Sequence, residues 1–305
     1  MTGATLVSDT LLHLAVALDG AGRHTRAGAE CHPAYWAALA RTAERGLLDL
    51  VTIGDTRPDD GEHPDAALLA AYLAPLTRHL GLVPVLSAEP AQVVAATLAR
   101  LDQSSRGRGG WQPSAAPAAG LAEAVPAVHR LWDARAGAPR VDGGAPEPSG
   151  GRPPVLVAAA ADLTVAARVG DVVLVTPRGA TDVAGVLDEV RAAEATVGRT
   201  GPRLRVIADI PVALDGARGT AALACSPTEL ADVLVSLWTE GLDGARLRPA
   251  TLPGDLLAIV DGVVPALQRH GVFRTAYGAA TLRARLGLGG RTDQVGNGAP
   301  DTVAV

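Results

Sequence analysis

The sequence contains no lysine, and all 27 of its basic residues are arginine. Schiff-base catalysis and covalent attachment of pyridoxal phosphate both need a lysine amine, so these two chemistries are excluded. Only two cysteines are present, Cys31 and Cys225, and their separation does not form a metal-ligand motif. Aromatic residues make up 3% of the chain, which argues against a stacking platform for nucleic-acid bases.

Basic charge and long apolar segments are also scarce. The formal net charge is −5, whereas a nucleic-acid or anionic-membrane partner would favour a basic face. No apolar run approaches the length that spans a bilayer, and the first ten residues lack the basic segment of a secretory signal. We therefore expect a cytoplasmic protein with no nucleic-acid or membrane partner. With 305 residues and 48% hydrophobic content, the chain can build a substantial core.

Short apolar runs alternate along the chain with longer amphipathic segments. The predicted strands are residues 11–19, 49–55, 80–87, 109–115, 153–160, 171–177, 204–214 and 245–251. The predicted helices are residues 33–46, 65–77, 90–105, 121–134, 162–170, 183–198, 226–242 and 252–271. Pro33 suits the first turn of the first helix, and Ser226 and Glu229 predict a capping box at the start of the seventh. Eight strand–helix pairs predict an α/β fold of the (β/α)8 TIM barrel type with shortened loops at its C-terminal face.

The alternative is a pair of doubly wound sheets that meet in the Gly- and Pro-rich loop of residues 136–153. It is disfavoured because neither half has a glycine-rich dinucleotide turn after its first strand. We expect one domain over residues 1–305, with the barrel at about 11–273 and a C-terminal tail over 274–305.

Functional residues of such a barrel follow the strands, at the C-terminal face. The polar or aromatic residues at the predicted strand ends are Asp19, Arg23, His24, Asp55, Arg57, Ser87, Glu89, Trp111, Gln112, Asp162, Thr176, Arg178, Asp209, Asp215, Arg246 and Arg248. These residues do not form a known catalytic constellation. For a metal, only His24, Asp19 and Asp55 have a suitable combination, and the favoured interpretation is that both aspartates cap turns or pair with arginines. No metal is expected.

The remaining histidines and the stretch LDQSSRGRGGW have structural interpretations. His13 lies inside an apolar strand and is interpreted as a satisfied core residue, while His79 and His270 fall near helix ends. In LDQSSRGRGGW, Gly107 is predicted as a left-handed helix cap at the N-terminal face. Arg106 and Arg108 are predicted to satisfy helix carbonyls there rather than to bind a phosphate.

Several blocks of the chain resemble the bacterial luciferase-like flavin-dependent monooxygenases, in the two-component branch of the nitrilotriacetate and dibenzothiophene-sulfone type. The blocks are HLAVALDGAG, YWAALARTAERGLLDLVTIGD, APLTRHLGLVPVLS, LDQSSRGRGGW, PPVLVAAAADLTVAARVGDVVLVTP, RVIADIPVALD and the segment from LRPATLPGD to LRARLGL. Together they cover most of residues 11–288.

The resemblance implies reduced FMN, or a deazaflavin, at the C-terminal face, together with a small organic substrate. It also implies a separate flavin reductase and a homodimer formed through the early helices. The cofactor-binding positions that it implies are Asp55, Ser87, Trp111, Gln112, Ala160 and Asp162. Catalytic residues are not identified.

The chain departs from the family pattern at four places. After the third strand, SAEP replaces a longer loop that contains Thr and His. The long loop with a His and a Tyr after the fourth strand is replaced by PSAAPAAG, and the substrate-covering insertion by residues 136–153. The Ser-x-x-Gly segment that holds the flavin phosphate is replaced by AAAADLT, which puts the Asp162 carboxylate near the phosphate position. Two hypotheses follow: a flavin-dependent monooxygenase with a weakened cofactor site, or a non-catalytic barrel that acts as a partner subunit or binds another small ligand.

Overall fold

The chain folds as a ring of parallel strands surrounded by helices. The computed structural model describes residues 11–18, 23–24, 32–54, 65–88, 90–114, 118–134, 151–214 and 222–289. The barrel strands are β1 (His13–Ala17), β3 (Leu50–Ile53), β4 (Gly81–Leu86), β5 (Gln112–Pro113), β6 (Leu156–Ala158), β7 (Val172–Val175), β8 (Arg205–Ala213) and β10 (Gly244–Pro249). Three two-residue strands lie outside the ring: β2 (Arg23–His24), β9 (Leu223–Ala224) and β11 (Thr251–Leu252).

Hydrogen bonding joins the barrel strands in the order β5-β4-β3-β1-β10-β8-β7-β6. A parallel bridge between Trp111 and Val155 joins the two ends of this series. In that bridge the Trp111 N–H donates to Pro154 O at 2.8 Å, and Leu156 N–H donates to Trp111 O at 2.8 Å. The predicted TIM barrel is therefore confirmed, and the alternative of two separate sheets is excluded.

The helices follow the strands as the amphipathic pattern predicts. They are α1 (Pro33–Arg45), α2 (Ala66–Leu73), α3 (Ala91–Ser105), α4 (Ala118–Asp133), α5 (Leu163–Val169), α6 (Val183–Thr196), α7 (Pro227–Thr239), α8 (Gly254–Ala258), α9 (Val264–Arg269) and α10 (Leu282–Arg285). The predicted capping box at the start of α7 is present, with Ser226 and Glu229 bonded to each other's backbone. None of the described helices is long and apolar enough to cross a membrane.

The buried apolar residues form two layers. One layer fills the space between the strands and the surrounding helices, and the other fills the interior of the ring. The interior layer includes three leucines from the segment that follows the last barrel helix: Leu282, Leu286 and Leu288. Leu282 N–H donates to Gly107 O, which anchors this segment at the N-terminal end of the barrel. A region predicted as a tail thus closes the bottom of the barrel.

The Arg106–Arg108 stretch lies at the N-terminal face, as predicted, but its cap differs in one position. Arg106 itself adopts the left-handed conformation at the end of α3 with φ 58°, and Gly107 follows with φ 81°. Gly107 therefore has the predicted left-handed backbone, and Arg106 before it shares this conformation as the C-cap of α3.

Arg108 confirms the structural interpretation of the stretch. Its guanidinium is buried and donates to the carbonyl oxygens of Ser105, Leu80, Ala74 and Thr77, at 2.7 to 3.1 Å. Two of these carbonyls, those of Ala74 and Ser105, lie at the ends of helical segments that leave carbonyls without intrahelical partners. Arg108 therefore joins α2, β4 and α3 and is not available to a phosphate.

A second buried charge group lies at the N-terminal ends of β1 and β3. Asp49 is 1% exposed and contacts His13 Nδ1 at 3.3 Å and Arg274 Nη1 at 2.7 Å. Burial alone would raise the Asp49 pKa, but His13 and Arg274 lower that pKa to about 2. His13 is thus a satisfied core histidine, as predicted.

Candidate functional site

The C-terminal end of the barrel is its open end among the described residues. In β4, β6 and β10, the first residues are fully buried and the exposed or half-exposed positions come at or near the end of each strand. In β8 the half-exposed positions are Asp209, Ile210 and Pro211. Since the opposite end is closed by Leu282 and its neighbours, the described residues leave the ring accessible at this end, which we call the mouth.

Four polar side chains meet at the floor of the mouth. Arg246 Nε and Nη2 donate to the two carboxylate oxygens of Asp209 at 2.9 and 2.8 Å. Arg246 Nη1 donates to Gln112 Oε1 at 2.6 Å and reaches Thr52 Oγ1 at 3.5 Å. Together with Arg248, whose Nε lies 3.5 Å from Asp209 Oδ2, these residues form what we call the mouth cluster.

Strand alternation explains why these residues face inward. Leu50 and Ile207 belong to the interior apolar layer, and the residues two positions later on the same strands are Thr52 and Asp209. Arg246 is the register partner of Asp209 between β10 and β8, which puts both side chains on the same face of the sheet. The mouth cluster is therefore the layer directly above the apolar interior.

Arg246 spans the interior of the barrel. Its partner Gln112 is on β5, and three strands separate β5 from β10 along the ring. The strand beside β10 carries Ala15 opposite Arg246, a small residue that leaves room for the long side chain. The arginine thus ties the two sides of the mouth together.

The Arg246–Asp209 pair is enclosed and bidentate. The exposed fractions of the two side chains are 7% and 15%. A paired geometry of this kind is among the stronger protein hydrogen bonds, whereas removing one partner from a buried pair costs about 3–5 kcal/mol.

Arg248 differs from Arg246 in its surroundings. Its side chain is 40% exposed, and its buried Nε has no hydrogen-bond partner among the described residues. The Asp209 oxygens already accept from Arg246, which leaves Arg248 with only the longer ion pair. The mouth cluster therefore contains two guanidinium groups and one carboxylate.

The segment after β6 has a distinct local geometry. Ala159–Ala161 form one 3-10 turn, and Asp162 then caps α5 with its Oδ1 accepting from Thr164 N at 2.6 Å and Val165 N at 3.4 Å. Asp162 has φ 129°, in the region that favours glycine. The first amides of α5 are already bound by a carboxylate, so this helix start does not fit a phosphate.

The residues that sequence reasoning singled out are placed as follows. Ser87 is exposed at the end of β4, and Val85 on that strand is the register partner of Gln112. Ala160 and Asp162 are exposed after β6. Trp111 is fully buried, and its Nε1 donates to Leu86 O at 3.5 Å.

Other candidates fall outside the described residues. These are Asp19, Cys31, Asp55, Arg57, Glu89 and Asp215. Arg23 and His24 are described for their backbone, which pairs with Thr251 and Leu252. Within the described part of the chain, no three His, Cys, Asp or Glu side chains are grouped so that they could hold a metal ion.

Sequence reasoning missed the assembly of the mouth cluster. Asp209, Arg246 and Arg248 were among the predicted strand-end residues, and Gln112 was a cofactor candidate. The sequence did not predict that these four side chains contact one another. Thr52 was missed entirely, because a threonine inside an apolar run is typical of an ordinary strand residue. The available signal was the pair of charged residues at alternate positions in ARLRP, near the end of a strand that is otherwise buried.

Comparisons with known proteins agree with this architecture. Residues 109–224 match the family described as luciferase-like monooxygenase. Over 76 residues, the chain is 40% identical to nitrilotriacetate monooxygenase component A of Aminobacter aminovorans, a match that covers 25% of this chain and 17% of that relative. The matched stretch thus spans about a sixth of the relative's length.

Solved structures match over nearly the whole barrel. The EDTA monooxygenase of Chelativorans sp. BNC1 has a TM-score of 0.76 at 21% identity, covering 92% of this chain and 99% of that one. The oxygenating constituent of 3,6-diketocamphane monooxygenase from Pseudomonas putida, in complex with FMN, has a TM-score of 0.66 at 14% identity. That match covers 84% of this chain and 99% of the other. At these identities the likeness shows the fold.

Proposed function

We propose that the chain is a member of the luciferase-like monooxygenase family and acts as a flavin-dependent monooxygenase on a small organic substrate. The observation that carries the proposal is the mouth cluster: a layer of charged and amide side chains at the open end of an otherwise apolar barrel. Polar groups converging at the C-terminal face of a barrel are typical of a ligand site.

The proposed cofactor is reduced FMN or a deazaflavin, which supplies the oxygen or hydride chemistry when it is bound. Among the described residues, we propose that Ser87 and Gln112 contact the flavin. Asp55 is a further candidate by resemblance. The side chain of Trp111 is buried, so we propose that it supports the cofactor site by packing beneath this part of the mouth. Ala160 remains a proposed contact after β6.

The phosphate end of a flavin does not fit at the start of α5, because the Asp162 carboxylate occupies the amides of Thr164 and Val165. This observation favours a second candidate function. In that alternative, the barrel has lost flavin binding and acts as a partner subunit of an intact relative or binds another small ligand. The fold and the mouth cluster are common to both candidates.

We further propose that a separate flavin reductase is a partner of this chain. The name "component A" suggests a second component for the nitrilotriacetate relative. A supply of reduced cofactor from such a partner is consistent with a cytoplasmic location. A homodimer through the early helices is supported by the outer face of α2, where Leu68 is 71% and Tyr72 43% exposed. Val93 on the neighbouring α3 is 60% exposed, which extends this apolar surface.

The proposal is tested by anaerobic titration of the purified chain with FMN and with a deazaflavin, in oxidised and reduced forms, followed by fluorescence and calorimetry. We expect micromolar affinity for one reduced cofactor and substrate oxidation when a reductase supplies it. Gln112→Leu should weaken that affinity, whereas Arg203→Gln, on the exposed surface before β8, should leave it unchanged. Flat titrations for every form would reject the flavin proposal and favour the second candidate.

A further inference from the structure

We propose that the mouth cluster contains an anion-binding site in which Arg248 and the amide of Gln112 hold a pair of anionic oxygens. This anion site rests on the proposed function, since both require that the ligand binds in the mouth of the barrel. It names the chemistry of that ligand: a carboxylate or phosphate group that reaches the floor of the mouth.

The first support is the balance of charge. Arg246 and Arg248 both approach Asp209, which is the one acidic partner of either arginine among the described residues. Both Asp209 oxygens accept short hydrogen bonds from Arg246. Among the described residues, one carboxylate faces two guanidinium groups, so this part of the floor carries a net positive charge that favours an anion.

The second support is the unused hydrogen-bonding capacity of Arg248. A guanidinium has five N–H donors in a planar fork, a geometry that matches carboxylate and phosphate oxygens. The Nε of Arg248 is buried without a hydrogen-bond partner in the described part of the chain, although a buried unpaired donor is costly. The side chain is 40% exposed, so its free donors are accessible from the mouth.

The third support is the orientation of Gln112. Arginine has donors only, so the group of Gln112 that lies 2.6 Å from Arg246 Nη1 must be the carbonyl oxygen. The amide nitrogen of Gln112 is therefore left with its donors, for which the described residues show no acceptor. Arg248 is held by its ion pair with Asp209, and Gln112 is held by its hydrogen bond to Arg246. Both side chains are thus fixed at the floor of the mouth and have donors to offer.

An anion with this chemistry has two possible sources. One is a carboxylate of the organic substrate, and the other is the phosphate of a flavin, which the start of α5 does not accommodate. The shared feature is a pair of anionic oxygens matched to a guanidinium. The two sources differ in whether the anion belongs to the cofactor, and this difference decides the design of the experiment.

The test measures binding by calorimetry, without turnover and, in its first arm, without flavin. Succinate and inorganic phosphate are titrated into the wild-type chain, into Arg248→Gln and into the control Arg203→Gln, which removes the same charge from an exposed position. We expect saturable binding to the wild type, about tenfold weaker binding to Arg248→Gln, and no change in the control.

The second arm compares FMN with riboflavin, which lacks the phosphate. An FMN preference that disappears in Arg248→Gln identifies the phosphate as the source. Succinate binding that depends on Arg248 while FMN and riboflavin bind equally identifies a substrate carboxylate. If neither succinate nor phosphate binds the wild type, or if Arg248→Gln binds both as well as the control does, the anion site is rejected. A failure of flavin binding alone, with the first arm positive, would reject the flavin proposal and leave the anion site standing.

Discussion

The backbone at Asp162 provides a sharp prediction, because two substitutions there should change stability in opposite directions. Its φ of 129° and ψ of 125° lie where an L side chain is strained, at a cost of about 2 kcal/mol. Glycine removes that strain and loses only a few tenths of a kcal/mol of capping, plus about 0.7 kcal/mol of chain entropy. We therefore expect Asp162→Gly to raise the free energy of unfolding by about 1 kcal/mol.

Asp162→Ala is the matched comparison. Alanine keeps the strained conformation and loses the hydrogen bonds to Thr164 N and Val165 N, so it should lower the free energy of unfolding by about 1 kcal/mol. Urea denaturation followed by circular dichroism measures both variants, and an unchanged m-value shows that the unfolded state is comparable. If the glycine variant is destabilised as much as the alanine variant, the argument from backbone strain is wrong.

The same glycine variant also tests the phosphate argument. Removing the carboxylate frees two amides at the start of α5 and removes a like charge from an incoming phosphate. FMN should then bind Asp162→Gly more tightly than it binds the wild type, while riboflavin affinity stays the same. Equal changes for the two ligands would show that the carboxylate does not oppose the phosphate.

Four further predictions follow from the described contacts. Arg108→Met should lower the free energy of unfolding by about 3–5 kcal/mol, because it leaves several buried carbonyls unpaired. Urea denaturation measures this change, and Arg100→Met, at an exposed position, is the control. Burial, assisted by nearby Arg152, lowers the His129 pKa to about 4, so stability should fall as pH drops from about 6.5 towards 4, and His129→Leu should remove this slope in thermal unfolding. The lowered Asp49 pKa means that its stabilisation is present above about pH 4 and lost towards pH 2, and Asp49→Asn should reduce the slope in that window. Leu68→Glu should shift a dimer to monomer in sedimentation velocity, and a wild type that sediments as a monomer would contradict the dimer proposal.

Periodicity predicted the barrel because most of its elements carry their own signal. The alternating strand and helix patterns, the Pro at the start of α1 and the Ser226–Glu229 capping box are local features that the structure confirms. The segment LRARLGL was not recognised as part of the interior, because its arginines and short length hide three leucines that point to one side. Its role depends on where the barrel places it, which is not a local property.

The candidate site was harder to predict for a related reason. The contact of Arg246 with Asp209 follows from the register of β10 against β8, and its contact with Gln112 from the closure of the ring. Neither contact can be predicted from the spacing of the residues along the chain. The resemblance pointed to Gln112 and Asp162, whereas the arginines became prominent only when the strands were in place.

The leucines that close the bottom of the barrel have a consequence for folding order. The ring begins with β1 near residue 13, but its interior is not complete until Leu282, Leu286 and Leu288 have entered it. During synthesis, a chain released only as far as β10 would have all its barrel strands and still expose apolar interior at one end. Stable closure should therefore come late, after nearly all of the described chain has left the ribosome, and shortened chains ending before residue 282 should be sensitive to proteases and to aggregation.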